Sequence, residues 1–176
     1  MLRSAGPVLA TFTRCLSTSA VARANINRAI VYRASDKGSP EEILQALTYP
    51  SLQEPAAQSL NIRFKLAPIN PADINVIQGV YPSKPEPSSD LTKEGLGSES
   101  DPVKIGGNEG VAEVTAVGEG VTSLKPGDRV VMVKQQSGTW RTAANVKPED
   151  VIKLPTEDDL KLSDSQAATI TVCFSR

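Results

Sequence analysis

The strongest constraint on the fold is a succession of short apolar stretches, each closed by a turn signal. "INRAIVYRA" (26–34) and "LNIRFKLAP" (60–68) alternate, or nearly alternate, apolar and polar side chains, the period of a half-buried strand. "EGVAEVTAVG" (109–118), "DRVVMVK" (128–134), "GTWRTAANV" (138–146) and "DVIKLP" (150–155) follow, set apart by Gly, Pro and Asp. Within "SLKPGDRV", Pro126 fixes φ, Gly127 supplies permissive torsions and Asp128 leads into the next strand. Strands this short and this closely spaced predict a mainly β chain, a small barrel or sandwich rather than a parallel sheet.

Two helix starts interrupt the strands. Asn70 can cap, Pro71 suits the first helical position, and Asp73 stands where the helix dipole favours a carboxylate. Ile74 and Ile77 share one face of that helix, which ends at Gly79. In "SDSQAATI", Ser163 and Gln166 have the spacing of a capping box, so a second helix begins within 161–176. Between the two, Ser83 to Gly106 is rich in Ser, Pro, Glu and Gly and reads as a long mobile loop.

Composition narrows the chemistry. A chain of 176 residues is long enough for one domain with a real core, so it needs neither metal nor disulfide to fold. Histidine is absent, which removes Ser-His-Asp triads, HExxH zinc helices and any imidazole base. Cys15 and Cys173 sit near opposite ends and read as unpaired thiols of a reducing compartment, not as a zinc cluster. Proton chemistry is left to Tyr, Lys and carboxylates. A net charge of −1 without a dominant basic block argues against nucleic acid. No apolar run reaches the roughly 20 residues of a spanning helix, so no membrane insertion is expected. The first acid is Asp36, whereas arginines, serines, threonines and alanines crowd the start. That composition predicts a mitochondrial transit peptide over 1–24, with cleavage between Leu16 and Ala24.

"GGNEGVAEVTAVGEGVTSLKPGDRVV" resembles the core signature of the medium-chain dehydrogenase/reductase superfamily. With "INPADINVIQGVYPSKP" and "GTWRT", the chain is similar to the mitochondrial trans-2-enoyl-thioester (enoyl-ACP/enoyl-CoA) reductases. The resemblance implies a GroES-like, partly open barrel with short helices over 25–160, the catalytic half of an α/β reductase. It also implies that 161–176 begins an inter-domain helix, the Rossmann domain being absent from these residues. Asn108 stands where zinc alcohol dehydrogenases carry His, so the zinc-free branch is implied, with no metal site.

In that family NADPH gives hydride to the β-carbon of an enoyl thioester carried on acyl carrier protein or CoA, within mitochondrial fatty acid synthesis in the matrix. The resemblance assigns proton delivery to Tyr81. A phenol with a pKa near 10 is protonated at neutral pH and can donate to a developing enolate. Asn70 and Trp140 are expected at the substrate pocket, although capping accounts for Asn70 and packing for a single tryptophan. Glu109 reads as structural, facing the Asn108 turn. Lys84, Lys93 and Lys104 could meet an acidic carrier protein, or simply be solvated. No Gly-x-Gly-x-x-Gly occurs, so no cofactor-binding residue is assigned in this chain, and the dimer-forming domain of the family is likewise not expected here. A zinc-free NADPH quinone oxidoreductase, or a non-catalytic remnant from a truncated gene prediction, stays open as an alternative.

Overall fold

The structure is a computed structural model describing residues 26–36, 38–82, 84–88, 91, 100–155 and 162–171. The expected transit segment, Lys93 and both cysteines lie outside these residues.

The first strand, β1 (Asn27–Arg33), buries Ala29 and Val31 on one side and exposes Arg28, as its sequence alternation requires. A single helical turn, α1 (Pro40–Ile43), follows, with Ser39 as its cap and Pro40 at the first helical position. Then come β2 (Gln45–Tyr49), β3 (Leu60–Leu66) and the helix α2 (Pro71–Ile77). The stretch 83–106, expected as loop throughout, ends in a strand, β4 (Val103–Ile105), that pairs with β1. Leu91 from the same stretch is buried in the β1–β4 core. Strands β5 (Val111–Val117), β6 (Arg129–Met132), β7 (Ala143–Val146) and β8 (Val151–Lys153) complete the set, and α3 (Asp164–Ala168) closes the described chain.

The strands form two antiparallel sheets, ordered β2-β1-β4 and β7-β3-β5-β6-β8. The five-stranded sheet is covered on both faces, and the residue alternation of β5 and β6 decides which side chain goes where. Ala112, Val114, Val130 and Met132 meet Leu60, Ile62 and Val146 in the barrel interior. Their neighbours Val111 and Val131 point the other way, onto Leu154 and the Ala167–Ala168 face of α3. Each fully buried Val, Leu or Ile of such a core contributes about 1.5–3 kcal/mol. Small alanines on α3 let the helix lie close to the sheet. Arg129 fastens it there, donating to the Leu162 carbonyl at 3.0 Å and pairing with Asp164 at 2.9 Å.

A seam joins the two sheets. Ile30 N–H donates to the Trp140 carbonyl (2.8 Å) and Thr142 N–H to the Arg28 carbonyl (2.8 Å). Arg28 N–H in turn donates to Thr142 Oγ1 at 2.9 Å. The result is the mainly β chain that the strand pattern predicts, in the GroES-like, partly open form that the resemblance implies. Asp128 does more than lead out of its turn: its carboxylate accepts from Lys125 N–H at 2.9 Å and pairs with Lys153 at 2.8 Å. Among the described residues no helix is long and apolar enough to cross a membrane.

Candidate active site

The site is organised by residues 106–110, Gly-Gly-Asn-Glu-Gly, which run from β4 into β5. Three glycines there are required by close approach. A Cβ on Gly106 would fall 2.5 Å from Trp140 Cε3, and one on Gly110 would fall 2.9 Å from the Leu66 carbonyl oxygen. Gly107 has φ +102°, a conformation that a side chain would strain, and Thr139 and Trp140 occupy the space beside it. Trp140 is therefore seated on the backbone of Gly106 and Gly107. Its indole Nε1–H donates to the Pro68 carbonyl at 3.1 Å, which sets the ring's orientation. The ring also lines an apolar cleft of about 480 Å³ walled by Leu44, Phe64, Leu66, Ile69 and Ile74. The ring thus stands in the wall of this cleft, beside partly exposed aliphatic side chains.

Glu109 is 1% exposed and ties two helices to this segment. Its Oε1 accepts from Asn70 Nδ2 at 3.0 Å, and its Oε2 accepts from Thr171 Oγ1 at 3.0 Å. Its backbone carbonyl accepts from Thr139 Oγ1 at 2.7 Å. Asn70 caps α2 as expected from sequence, but its amide nitrogen is spent on Glu109. The reciprocal arm of the cap is Asp73, whose Oδ2 accepts from Asn70 N–H at 2.7 Å. Asp73 is buried, not set in solvent to complement the helix dipole. Burial pushes its carboxyl above the ordinary carboxylate value. Backbone N–H groups of Asn70 and Asn108 pull the other way, and the Glu109 charge adds to the rise.

Tyr81 lies past the far end of α2, a helix of seven residues and so about 10 Å long. Val80 N–H and Tyr81 N–H both donate to the Asn75 carbonyl, at 3.0 and 3.1 Å, and Gly79 turns the chain with φ +75°. The backbone carrying the phenol is thus held against the last helical turn, while the side chain is half-buried. The other two tyrosines are committed to the interior. Tyr49 bonds the Ala143 carbonyl through its hydroxyl. Tyr32 is 6% exposed, its hydroxyl meets no partner among the described residues, and burial pushes its pKa up to about 12.

Of the residues singled out by sequence, Asn70 and Trp140 therefore meet the same glycine-rich segment, and Tyr81 is carried by the helix that Asn70 starts. Lys84 and Lys104 come close enough to repel, and that repulsion, after burial, lowers the Lys104 pKa. Thr171 and the reach of Glu109 to Asn70 carry no local sequence signal, because each contact spans dozens of residues. Asp73 and Glu109 are the acids at this site. Among the described residues no three His, Cys, Asp or Glu side chains cluster as a metal would require. Among the described residues no glycine-rich turn leads from a strand into a helix as in sites that take dinucleotide phosphates.

The family model for the alcohol dehydrogenase GroES-like domain matches residues 56–156. The mitochondrial enoyl-[acyl-carrier-protein] reductase of Schizosaccharomyces pombe is 35% identical over 163 residues, covering 92% of this chain and 41% of the relative. The solved Etr1p/NADP/crotonyl-CoA complex superposes with a TM-score of 0.73 at 35% identity, covering 84% of this chain and 40% of that one. Escherichia coli quinone oxidoreductase complexed with NADPH is more distant: TM-score 0.57, 28% identity, 81% of this chain and 36% of that one. The chain thus spans about two fifths of the length of the curated relative and of the Etr1p chain it matches.

Proposed function

This chain belongs to the alcohol dehydrogenase GroES-like domain family, and on that footing we propose that it supplies the proton-donating half of an NADPH-dependent reduction of trans-2-enoyl thioesters. The observation that carries this reading is the placement of Tyr81. It is the half-buried tyrosine, held at the end of a helix whose start is fixed by Asn70 and Glu109. The likeness to Etr1p at TM-score 0.73, against 0.57 for the quinone oxidoreductase, supports the enoyl reductase over the quinone alternative.

In this reaction a reduced nicotinamide supplies hydride to the β-carbon of the alkene. What the chain's own residues contribute is the other proton and the shape of the pocket. The Tyr81 phenol holds a proton for the α-carbon, or for the thioester oxygen as the enolate charge develops. Trp140 and the aliphatic cleft beside it offer an apolar surface for the acyl chain and exclude water from it. Asn70 positions α2 through the hydrogen bond from its amide to Glu109. Acyl carrier protein or CoA carries the thioester, and the chain works in the mitochondrial matrix, in keeping with the mitochondrial relative.

The test is a chimera in which residues 26–171 replace the matching stretch of the S. pombe reductase. It should reduce trans-2-enoyl thioesters with NADPH, and Tyr81→Phe should lower kcat by about 10²–10⁴-fold with the fold intact. Unchanged turnover in the Phe variant would reduce Tyr81 to a packing residue. Quinone turnover without enoyl turnover would replace the reaction altogether.

A further inference from the structure

Three distant parts of the chain meet on one buried acid. Asn70 donates to Glu109 Oε1 and Thr171 to Oε2, each at 3.0 Å, while Thr139 donates to the Glu109 backbone carbonyl at 2.7 Å. A carboxylate suits this place better than an amide. It has two acceptor oxygens and no donor, so it satisfies an amide and a hydroxyl at once. Filling the core requires no such group, because an apolar side chain of similar volume avoids the cost of burying a charge. What the acid adds is a fixed geometry between its two donors.

Each donor leads to a different element. Asn70 caps α2, and the N–H of Asn108 holds the same end of that helix through the Asp73 carboxylate. From this anchored start α2 runs about 10 Å to its last turn, where the Asn75 carbonyl accepts from Val80 N–H and Tyr81 N–H. Thr171 stands on the other side, three residues past the end of α3, where the backbone is helical again. One carboxylate therefore passes any shift of Thr171 to the start of α2. A tilt of about 6° about that start moves the far end by about 1 Å. A misplacement of that size at a reacting group can cost about 10²-fold in rate. Resting on the reductase reading above, we infer that Glu109 is a positioning residue that couples the segment after α3 to the aim of Tyr81. It touches no substrate; it acts through Asn70 and the angle of α2. Trp140 is seated on the backbone of Gly106 and Gly107 and on the Pro68 carbonyl, so the acyl cleft keeps its shape while the phenol moves.

The test turns on Thr171, which touches neither α2 nor the phenol. Thr171→Val removes the hydroxyl and keeps the shape, whereas Thr171→Ser keeps the hydroxyl. In the chimera with the S. pombe reductase, Thr171→Val should lower kcat about tenfold while KM stays within about twofold. Thr171→Ser should hold kcat within about twofold of the parent chimera. In a Tyr81→Phe background Thr171→Val should have no further effect, because the group being aimed is gone. Glu109→Gln should repeat the loss in kcat at constant KM, since its single oxygen serves one donor only. In the ¹⁵N-labelled 176-residue chain, Thr171→Val should shift the amides of Val80 and Tyr81. Equal losses from Thr171→Val in both backgrounds, an unchanged kcat in Glu109→Gln, or shifts confined to the neighbours of residues 109 and 171 would each overturn the coupling. An active chimera with such equal losses leaves the reductase reading standing without it. An inactive chimera whose 176-residue counterpart still carries the shift to Tyr81 removes that reading and leaves the coupling.

Discussion

Tyr32 lines a space shared with Asp73, Ile77, Gly106 and Gly107, and among the described residues nothing accepts from or donates to its hydroxyl. An unpartnered buried polar atom costs about 1–3 kcal/mol, while the ring itself packs against Ile43 and Ile77. Tyr32→Phe keeps the ring and removes the cost. It should leave the chain more stable by about 1 kcal/mol at neutral pH, read from urea unfolding. The pH dependence has a definite sign. The folded pKa is raised to about 12 from 10.0, so the folded state keeps the proton longer than the unfolded chain does. The associated stability is fully present below pH 10 and is lost as pH rises toward 12. Wild type should therefore weaken over that window relative to the Phe variant; parallel curves would show that Tyr32 ionises freely in the fold. Asp73 works in the same sense at acid pH. Its raised carboxyl makes the ionised form the costly one, so its stability term is lost as pH climbs above 3.8 and Asp73→Asn should flatten that part of the profile.

At the scale of elements, Glu109 joins the start of α2 to the segment after α3, and its two oxygens serve Asn70 and Thr171. Glu109→Ala leaves both donors without their acceptor and should cost about 2–5 kcal/mol, whereas Glu109→Gln keeps one oxygen and should cost less by at least about 1 kcal/mol. Equal losses in urea titrations of the two variants would mean that shape, not hydrogen bonding, sets the role of Glu109. These elements were legible to different degrees. Alternation marked β1 and β3, and short segments closed by Gly, Pro and Asp marked β5, β6, β7 and β8, because each buries one face or both against a neighbour of its own kind. The Ser163–Gln166 box was legible because capping is local, and it forms, with Gln166 N–H donating to Ser163 Oγ. α1 carried the same signal, Ser39 and Glu42 around Pro40, in a turn too short to show periodicity. β4 was hidden: three residues at the end of a Ser/Pro/Glu/Gly-rich stretch become a strand only because β1 offers a free edge. At the candidate site, sequence singled out Tyr81, Asn70 and Trp140 by residue type, and the structure brings Asn70 and Trp140 to one glycine-rich segment. It was not legible by contact, since Glu109 meets Asn70 across 39 positions and Thr171 across 62.

For the molecule as a whole, the barrel brings its own core, and no Gly-x-Gly-x-x-Gly occurs in the 176 residues to take the phosphates of a dinucleotide. The 176-residue polypeptide by itself should show no saturable NADPH binding in the micromolar range, followed by Trp140 fluorescence or cofactor absorbance. Saturation there would reveal a phosphate cradle of a kind that no Gly-x-Gly-x-x-Gly provides. Ile69 at 74% and Leu66 at 44% exposure leave an aliphatic surface beside the Trp140 cleft, so the isolated chain should also associate as concentration rises. The seam between the sheets sets a clock on all of this. Arg28 bonds Thr142 across 114 positions, and no shorter piece of the chain can close that edge. At about 5–20 residues per second on the ribosome, roughly ten seconds pass between the making of β1 and of its partner. During that interval the stretch of β1 at residues 28–30 waits with one edge unpaired, and whatever shelters nascent chains must shelter it until residue 142 has emerged.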